Sequence, residues 1–257
     1  MIVLLSPAKS LDETPSSRGL PYSQPQMLEE SEKLIVSARR LSRKKISALM
    51  NVSPKIAQLN WERYQAFSTP FTTENAKQAA LIFAGDTYRG FEAGTLLEED
   101  LAYAQEHVVI LSGLYGVLRP LDLMQPYRLE MGTALSTRRG RTLYKFWGDR
   151  ITRQLDSMLE GHASPLLLNC ASNEYFSAVQ TKKLSAPVVN CHFREDRGGT
   201  LKVISFSAKR ARGMMARHVT RNRVEDLDGV RAFAEAGYSF RPDLSDDSNI
   251  TFVRPRP

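Results

Sequence analysis

The sequence predicts an α/β fold: a mixed central sheet flanked by helices, with a helical insertion over residues 26–79 of one domain spanning 1–257. Two observations carry this. Short apolar runs, Ile2–Leu5, His107–Leu111 and Leu166–Leu168, each open into a polar turn, as buried strands do at their carboxyl ends. Between and around them, apolar residues recur at helical spacing, as at Leu28, Leu34, Ile35, Ala38 and Leu41.

Taken in order, Ile2–Leu5 is the first strand and delivers Ser6-Pro7-Ala8-Lys9 at its end. Ser16 to Pro25, rich in Ser, Pro and Gly, reads as a loop. A helix is expected over Gln26–Leu41. Ser42 caps a second over Arg43–Met50, and Ser53 with Pro54 begins a third that runs to about Phe67. Thr73–Ala79 begins a short helix, Leu81–Phe83 a strand, and Gly85–Gly90 a glycine-bounded strand exit. Glu98–Glu106 is a helix leading into the central strand. Thr142–Leu159 reads as one helix, with Leu143, Trp147, Ile151, Leu155 and Met158 along its core face. Ser172 or Asn173 caps a helix through Val179. Val188–Phe193 and Leu201–Phe206 form strands joined at Arg197-Gly198-Gly199, and Tyr238–Arg241 with Asn249–Val253 adds a final pair.

Composition bounds the class. The 257 residues are 42% hydrophobic and 25% charged, ordinary for a globular protein. No run approaches the ~20 apolar residues of a membrane span, and the N-terminus lacks the basic lead of a signal peptide. Two cysteines make no disulfide framework. The expectation is a bacterial cytoplasmic protein with no membrane contact and no obligate protein partner. Thirty-five Lys and Arg against 28 Asp and Glu leave a net charge of +7, which carries weight where it clusters.

It clusters at Ser207–Arg223. Lys209, Arg210, Arg212, Arg217, Arg221 and Arg223 occur there without one Asp or Glu, and on a helix they fall within roughly a half-circle. Same-sign neighbours three or four apart repel, a cost that a polyanion relieves. The alternative is pairing with acids elsewhere, such as Glu225, Asp226 and Asp228. Lys182 and Lys183 add two further cations. The Lys44–Phe67 pair resembles a helix-hairpin-helix, a module that holds phosphate on backbone N–H groups, here helped by Lys55. Asn51 and Ser53 stand where that motif has glycines, and an ordinary helix pair is the alternative.

Leu111–Gly132 places Tyr115, Arg119, Asp122, Tyr127, Arg128 and Glu130 on a loop stiffened by Pro120 and Pro126. Strand ends in such a fold converge on one rim. An anion-binding cleft is therefore expected from Ser6, Lys9, Tyr115, Arg119, Tyr127, Arg128, Glu130, Asn169, Asn173 and Glu174. From spacing alone Lys9 reads as an exposed lysine after a strand. As a Schiff-base amine, with Glu174 or Asp122 as acid/base, it would instead suit lyase or glycosylase work on a nucleoside or DNA lesion. No metal site or cofactor is expected. The four histidines are scattered, and Gly85–Gly90 and Gly198-Gly199 match no dinucleotide or P-loop fingerprint. Cys170 and Cys191 as oxidant sensors are one reading; the other, favoured by the buried run before Cys170, is that Cys170 is an inert small hydrophobe.

Four segments carry a resemblance: LLSPAKSLD (Leu4–Asp12), Leu111–Gly132, NCASNEYF (Asn169–Phe176) and ISFSAKRARGMMARH (Ile204–His218). In this order they resemble the signatures of the bacterial YaaA family, associated with the peroxide stress response. The resemblance implies a protein that binds duplex DNA, limits oxidative DNA damage and keeps free intracellular iron low.

Overall fold

A computed structural model describes residues 1–15 and 18–255. The main sheet has eight strands: β1 (Ile2–Leu5), β2 (Val108–Ser112), β3 (Gly116–Leu118), β4 (Leu167–Asn169), β5 (Val188–Asp196), β6 (Leu201–Lys202), β7 (Ser239–Phe240) and β8 (Asn249–Pro255). Their order is β7-β8-β5-β4-β1-β2-β3, with β6 paired to the far end of β5. The inner five, β8, β5, β4, β1 and β2, are parallel, and β3, β6 and β7 are antiparallel edges. Val3 lies between Val108 on one side and Leu168 on the other. Every residue of β1, β2 and β4 is buried, as parallel strands covered on both faces require.

Local chemistry sets the helix boundaries. Ser42 Oγ accepts the Lys45 N–H at 3.3 Å at the start of helix Arg43–Met50. Ser53 Oγ accepts the Ile56 N–H at 3.4 Å at the start of helix Pro54–Ala66. The expected helix over Thr142–Leu159 is two, Leu143–Trp147 and Arg150–Leu159. Gly148 separates them with φ 56°, a left-handed conformation. Three further segments depart from expectation. Thr73–Ala79, expected to begin a helix, holds a turn and the short strand Lys77–Gln78, and helix starts only at Ala79. Leu81 and Ile82 belong to a helical turn, Ala79–Ile82, and only Phe83–Ala84 is extended. The strand expected over Leu201–Phe206 ends at Lys202, and Phe206 lies in the first turn of a long helix, Ser205–Asn222. The loop expected from Ser16 is described from Arg18 onward; Ser16 and Ser17 lie outside the described residues.

Gly85–Gly90, expected as an open strand exit, folds largely as helix Asp86–Phe91, which packs across Ser205–Asn222. The backbones touch. A Cβ on Gly213 would lie 1.7 Å from the Thr87 carbonyl oxygen, and one on Gly90 2.1 Å from that of Arg210. Only glycine permits this approach. The start of the long helix is clamped as well: Arg254 Nη2 donates to Ser207 Oγ at 2.9 Å and to Glu195 Oε1 at 2.7 Å.

Gly213→Ala is expected to force the two helices apart and cost about 1–3 kcal/mol in urea unfolding, the usual range for overpacking. The hydrogen bond from Arg254 holds Glu195 down to about 2 from its ordinary value near 4.5. A depressed carboxylate contributes stability above its unfolded pKa and loses it as pH falls through the folded one. Between pH 4.5 and about 2 the wild type should therefore lose more stability than Glu195→Gln, as measured by unfolding at a series of pH values.

Candidate functional site

The carboxyl ends of β1 and β4 are joined. Ser6 Oγ accepts the Ser172 N–H at 2.8 Å and donates to Ser172 Oγ at 3.3 Å, while Tyr88 OH donates to the Ser6 carbonyl at 3.1 Å. Above this seam lies a cleft of about 410 Å³. Ser6 and Lys9 come to it from the β1 exit, Glu130 from the central loop, and Ser172 and Glu174 from the β4 exit. Asp86 and Thr87 come from the short helix, and Lys209 and Arg212 from the long one.

Its charges are arranged in pairs. Glu130 Oε1 accepts Arg128 Nε at 3.0 Å and lies 3.4 Å from Lys9 Nζ. Glu130 is largely covered and Lys9 stands out into solvent. Glu174 Oε1 accepts the Gly132 N–H at 3.0 Å, and Tyr144 OH donates to the Glu174 carbonyl at 2.8 Å. Glu130 and Glu174 are thus already held, and the third cleft carboxylate, Asp86, lies 3.6 Å from Arg89 Nη1. Arg212 differs: its Nε is buried without a hydrogen-bond partner.

Other expected cleft residues lie elsewhere. Tyr115 is fully buried, its hydroxyl donating to the Gln125 carbonyl at 3.1 Å and accepting the Gln125 N–H at 3.0 Å. Tyr127 OH shares a 2.6 Å hydrogen bond with Ser112 Oγ, and the two tyrosine rings meet edge to face at 5.3 Å. Burial pushes both phenols up. Arg119 binds Asp122 through Nε at 3.2 Å, Nη2 at 3.1 Å and its backbone N–H at 2.8 Å, and Ser23 OH donates to the same carboxylate at 2.6 Å. Asp122 is only 1% exposed; burial pushes its carboxyl up while Arg119 pulls it down. Asn169 bridges strands, its Nδ2 donating to Asn190 Oδ1 at 2.9 Å. Asn173 opens the short helix that carries Glu174.

The basic helix is only partly paired. Arg217 donates to the Phe91 and Glu92 carbonyls, both at 3.0 Å, and Arg223 reaches Asp100 at 2.8 Å. Lys209, Arg210 and Arg221 are exposed, with no hydrogen bond or ion pair among the described residues. Two of the acids that could have answered them are engaged locally: Asp226 caps the Gly229 N–H at 2.8 Å, and Asp228 pairs with Arg231 at 2.8 Å. Lys55, Lys182 and Lys183 lie outside the cleft lining, with Lys183 bound to Asp149 at 3.2 Å.

The helix-hairpin-helix reading is not established by this geometry. Asn51 turns the chain in the left-handed region at φ 50°, with no glycine in the hairpin. Pro54 offers no N–H, and the Ile56 N–H is already taken by Ser53. Sequence reasoning missed the Asp86–Phe91 wall of the cleft. Its signal was a pair of glycines, Gly90 and Gly213, far apart in the chain.

This geometry defines a class: an α/β protein with a parallel inner sheet, whose strand ends form a polar cleft walled on one side by a cationic helix. The chain belongs to the family described as peroxide stress protein YaaA, whose model matches residues 1–244. It is 51% identical over 256 residues to a UPF0246 protein of Burkholderia multivorans, covering 99% of this chain and 98% of that one. A UPF0246 protein of Phenylobacterium zucineum is 49% identical over 257 residues, covering 100% and 96%. One of Dinoroseobacter shibae is 52% identical over 260 residues, with the same coverage. No helix among the described residues is long and apolar enough to cross a membrane.

Arg119→Ala should leave a buried carboxylate unpaired and cost about 3–5 kcal/mol in denaturant unfolding. Ligand affinity of the fraction still folded should be unchanged. Weakened binding without lost stability would instead place Arg119 in the site.

Proposed function

We propose that the protein acts in the peroxide response by binding duplex DNA without strong sequence preference, through the basic helix and the adjoining cleft. One observation carries the reading: Lys209, Arg210 and Arg221 stay unpaired on the helix whose Lys209 and Arg212 also wall the cleft. Arg forks bind phosphate oxygens with two hydrogen bonds, and lysines add mobile charge. Lys9, exposed and ion-paired with Glu130, suits a phosphate contact at the cleft mouth. A Schiff-base lysine is activated by desolvation or a second cation, and Lys9 has a carboxylate neighbour instead. Lys55 and Lys182 are exposed and available for peripheral contacts. Family membership supports the physiological end, protection against peroxide; less oxidative DNA damage and less free iron are what the resemblance implies.

Anisotropy titration of a labelled duplex tests this. Affinity should fall steeply from ~50 to ~200 mM salt, since each phosphate neutralised contributes about −0.9 to the log–log slope. The triple variant Lys209→Ala, Arg210→Ala, Arg221→Ala should bind more weakly and with a shallower slope, its unfolding curve unchanged. Salt-independent affinity would overturn the reading.

A further inference from the structure

We infer that Cys170 and Cys191 form a peroxide-oxidised pair, Cys170 taking up the oxygen and Cys191 resolving it to an intramolecular disulfide beneath the basic helix. The inference stands apart from DNA binding and uses residues that reading leaves idle.

Strand register brings the two together. β4 and β5 pair in parallel with Asn169 beside Asn190, so one residue further along Cys170 lies beside Cys191. Adjacent strands are about 4.8 Å apart, inside the ~4.4–6.8 Å Cα separation that a disulfide spans. Cys170 beside it, together with burial, pushes the Cys191 thiol up. Both are free and buried.

The two positions are not equivalent. Cys170 lines the cleft at 1% exposure, so of the two it is the cysteine nearer to a molecule as small as hydrogen peroxide entering from solvent. Cys191 lies inside the sheet between Cys170 and Ile250 and does not line the cleft. Cys170, on the cleft side, is therefore the cysteine that peroxide meets first, and Cys191, behind it, the one that resolves. Arg212 also walls the cleft, has an unpartnered buried Nε, and its charge offsets part of the rise that burial and Cys170 impose on the Cys191 thiol. A cation beside thiols is the setting in which cysteines react, because the thiolate is the attacking species.

The chemistry balances with hydrogen peroxide as oxidant. The Cys170 thiolate attacks one peroxide oxygen, the O–O bond breaks, and the departing hydroxide takes a proton to leave as water. Cys170 is then a sulfenic acid. The Cys191 sulfur, losing its proton, attacks the Cys170 sulfur, the S–O bond breaks, and a second water leaves. Two thiols give up two electrons and peroxide receives them.

The test uses the full chain, reduced, exposed to hydrogen peroxide, quenched, denatured and alkylated, then read by intact mass and peptide mapping. The wild type should lose the mass of two hydrogens, take up no alkyl group, stay monomeric on a non-reducing gel, and recover both thiols with dithiothreitol. Methionine oxidation adds oxygen and is distinguished by mass. Cys191→Ser should stop at a sulfenic acid on Cys170 that dimedone traps, and Arg212→Ala should slow oxidation. Two alkylated cysteines in peroxide-treated wild type, a disulfide between chains, or sulfinic acid at Cys170 in the wild type would overturn the inference. The wild-type arm decides even if a cysteine variant fails to fold.

Discussion

A backbone contact between two helices decides where the positive charge of this molecule lies. Gly90 and Gly213 let helix Asp86–Phe91 and helix Ser205–Asn222 approach until each meets the other's carbonyl oxygens. A glycine inside a helix costs roughly 1 kcal/mol relative to alanine, so two cost about 2 kcal/mol before any contact is made. That cost is offset by dispersion between close-packed backbones and by the burial of neighbours such as Tyr88, Phe91 and Met215. With side chains at these positions the long helix would ride farther from the strand ends, and Lys209 and Arg212 would no longer wall the cleft. Arg254, bound to both Ser207 and Glu195, ties the start of the helix to β5 and so fixes its azimuth.

The cleft beneath is rigid because its polar groups are spoken for. Ser6 and Ser172 lock the exits of β1 and β4 to each other, and Glu130 and Glu174 are held by Arg128 and by the Gly132 amide. Below them Tyr115, Tyr127, Ser112 and Gln125 form a satisfied buried network, which specifies one arrangement of the central loop. What remains unsatisfied is cationic: Lys209 at the surface and the Arg212 Nε within. The inventory of partners is thus asymmetric, with anchored acids and free bases, and such a site is built to receive negative charge.

Much of the framework was legible in the sequence because it depends on local physics. Ile2–Leu5, Val108–Leu111 and Leu167–Leu168 announce buried parallel strands by their unbroken apolar character, and Ser42, Ser53 and Pro54 announce helix starts. Ser6, Lys9, Glu130, Glu174, Lys209 and Arg212 are brought to one cleft, although two sequence arguments were needed to name them. Arg119 and Tyr127 were not separable from Glu130 by reading alone. All three sit on one polar loop, and polarity says nothing about whether a side chain turns to solvent or is satisfied inside. Asp122 pulls Arg119 inward, and Ser112 does the same to Tyr127. The adjacency of Cys170 and Cys191 was hidden for a different reason. It depends on strand order and register, which no single segment encodes.

Two of the three unpaired cations sit together at one end of their helix, and the third, Arg221, lies in its last turn. Arg217 and Arg223 lie toward the carboxyl end, where the helix dipole favours positive charge, and both are engaged, Arg223 also stacking on the Tyr103 ring at 4.9 Å. Lys209 and Arg210 lie just past the first turn, which carries no acidic residue. There the dipole adds to their charge instead of offsetting it. A fold selected only for stability would place acids in that turn, where each contributes a few tenths of a kcal/mol to about 1 kcal/mol. The glycine contact holds this uncompensated end, rather than the compensated one, against the cleft. The positive potential is thus concentrated where the strand ends are open to solvent, and an approaching polyanion would meet the least neutralised part of the helix first.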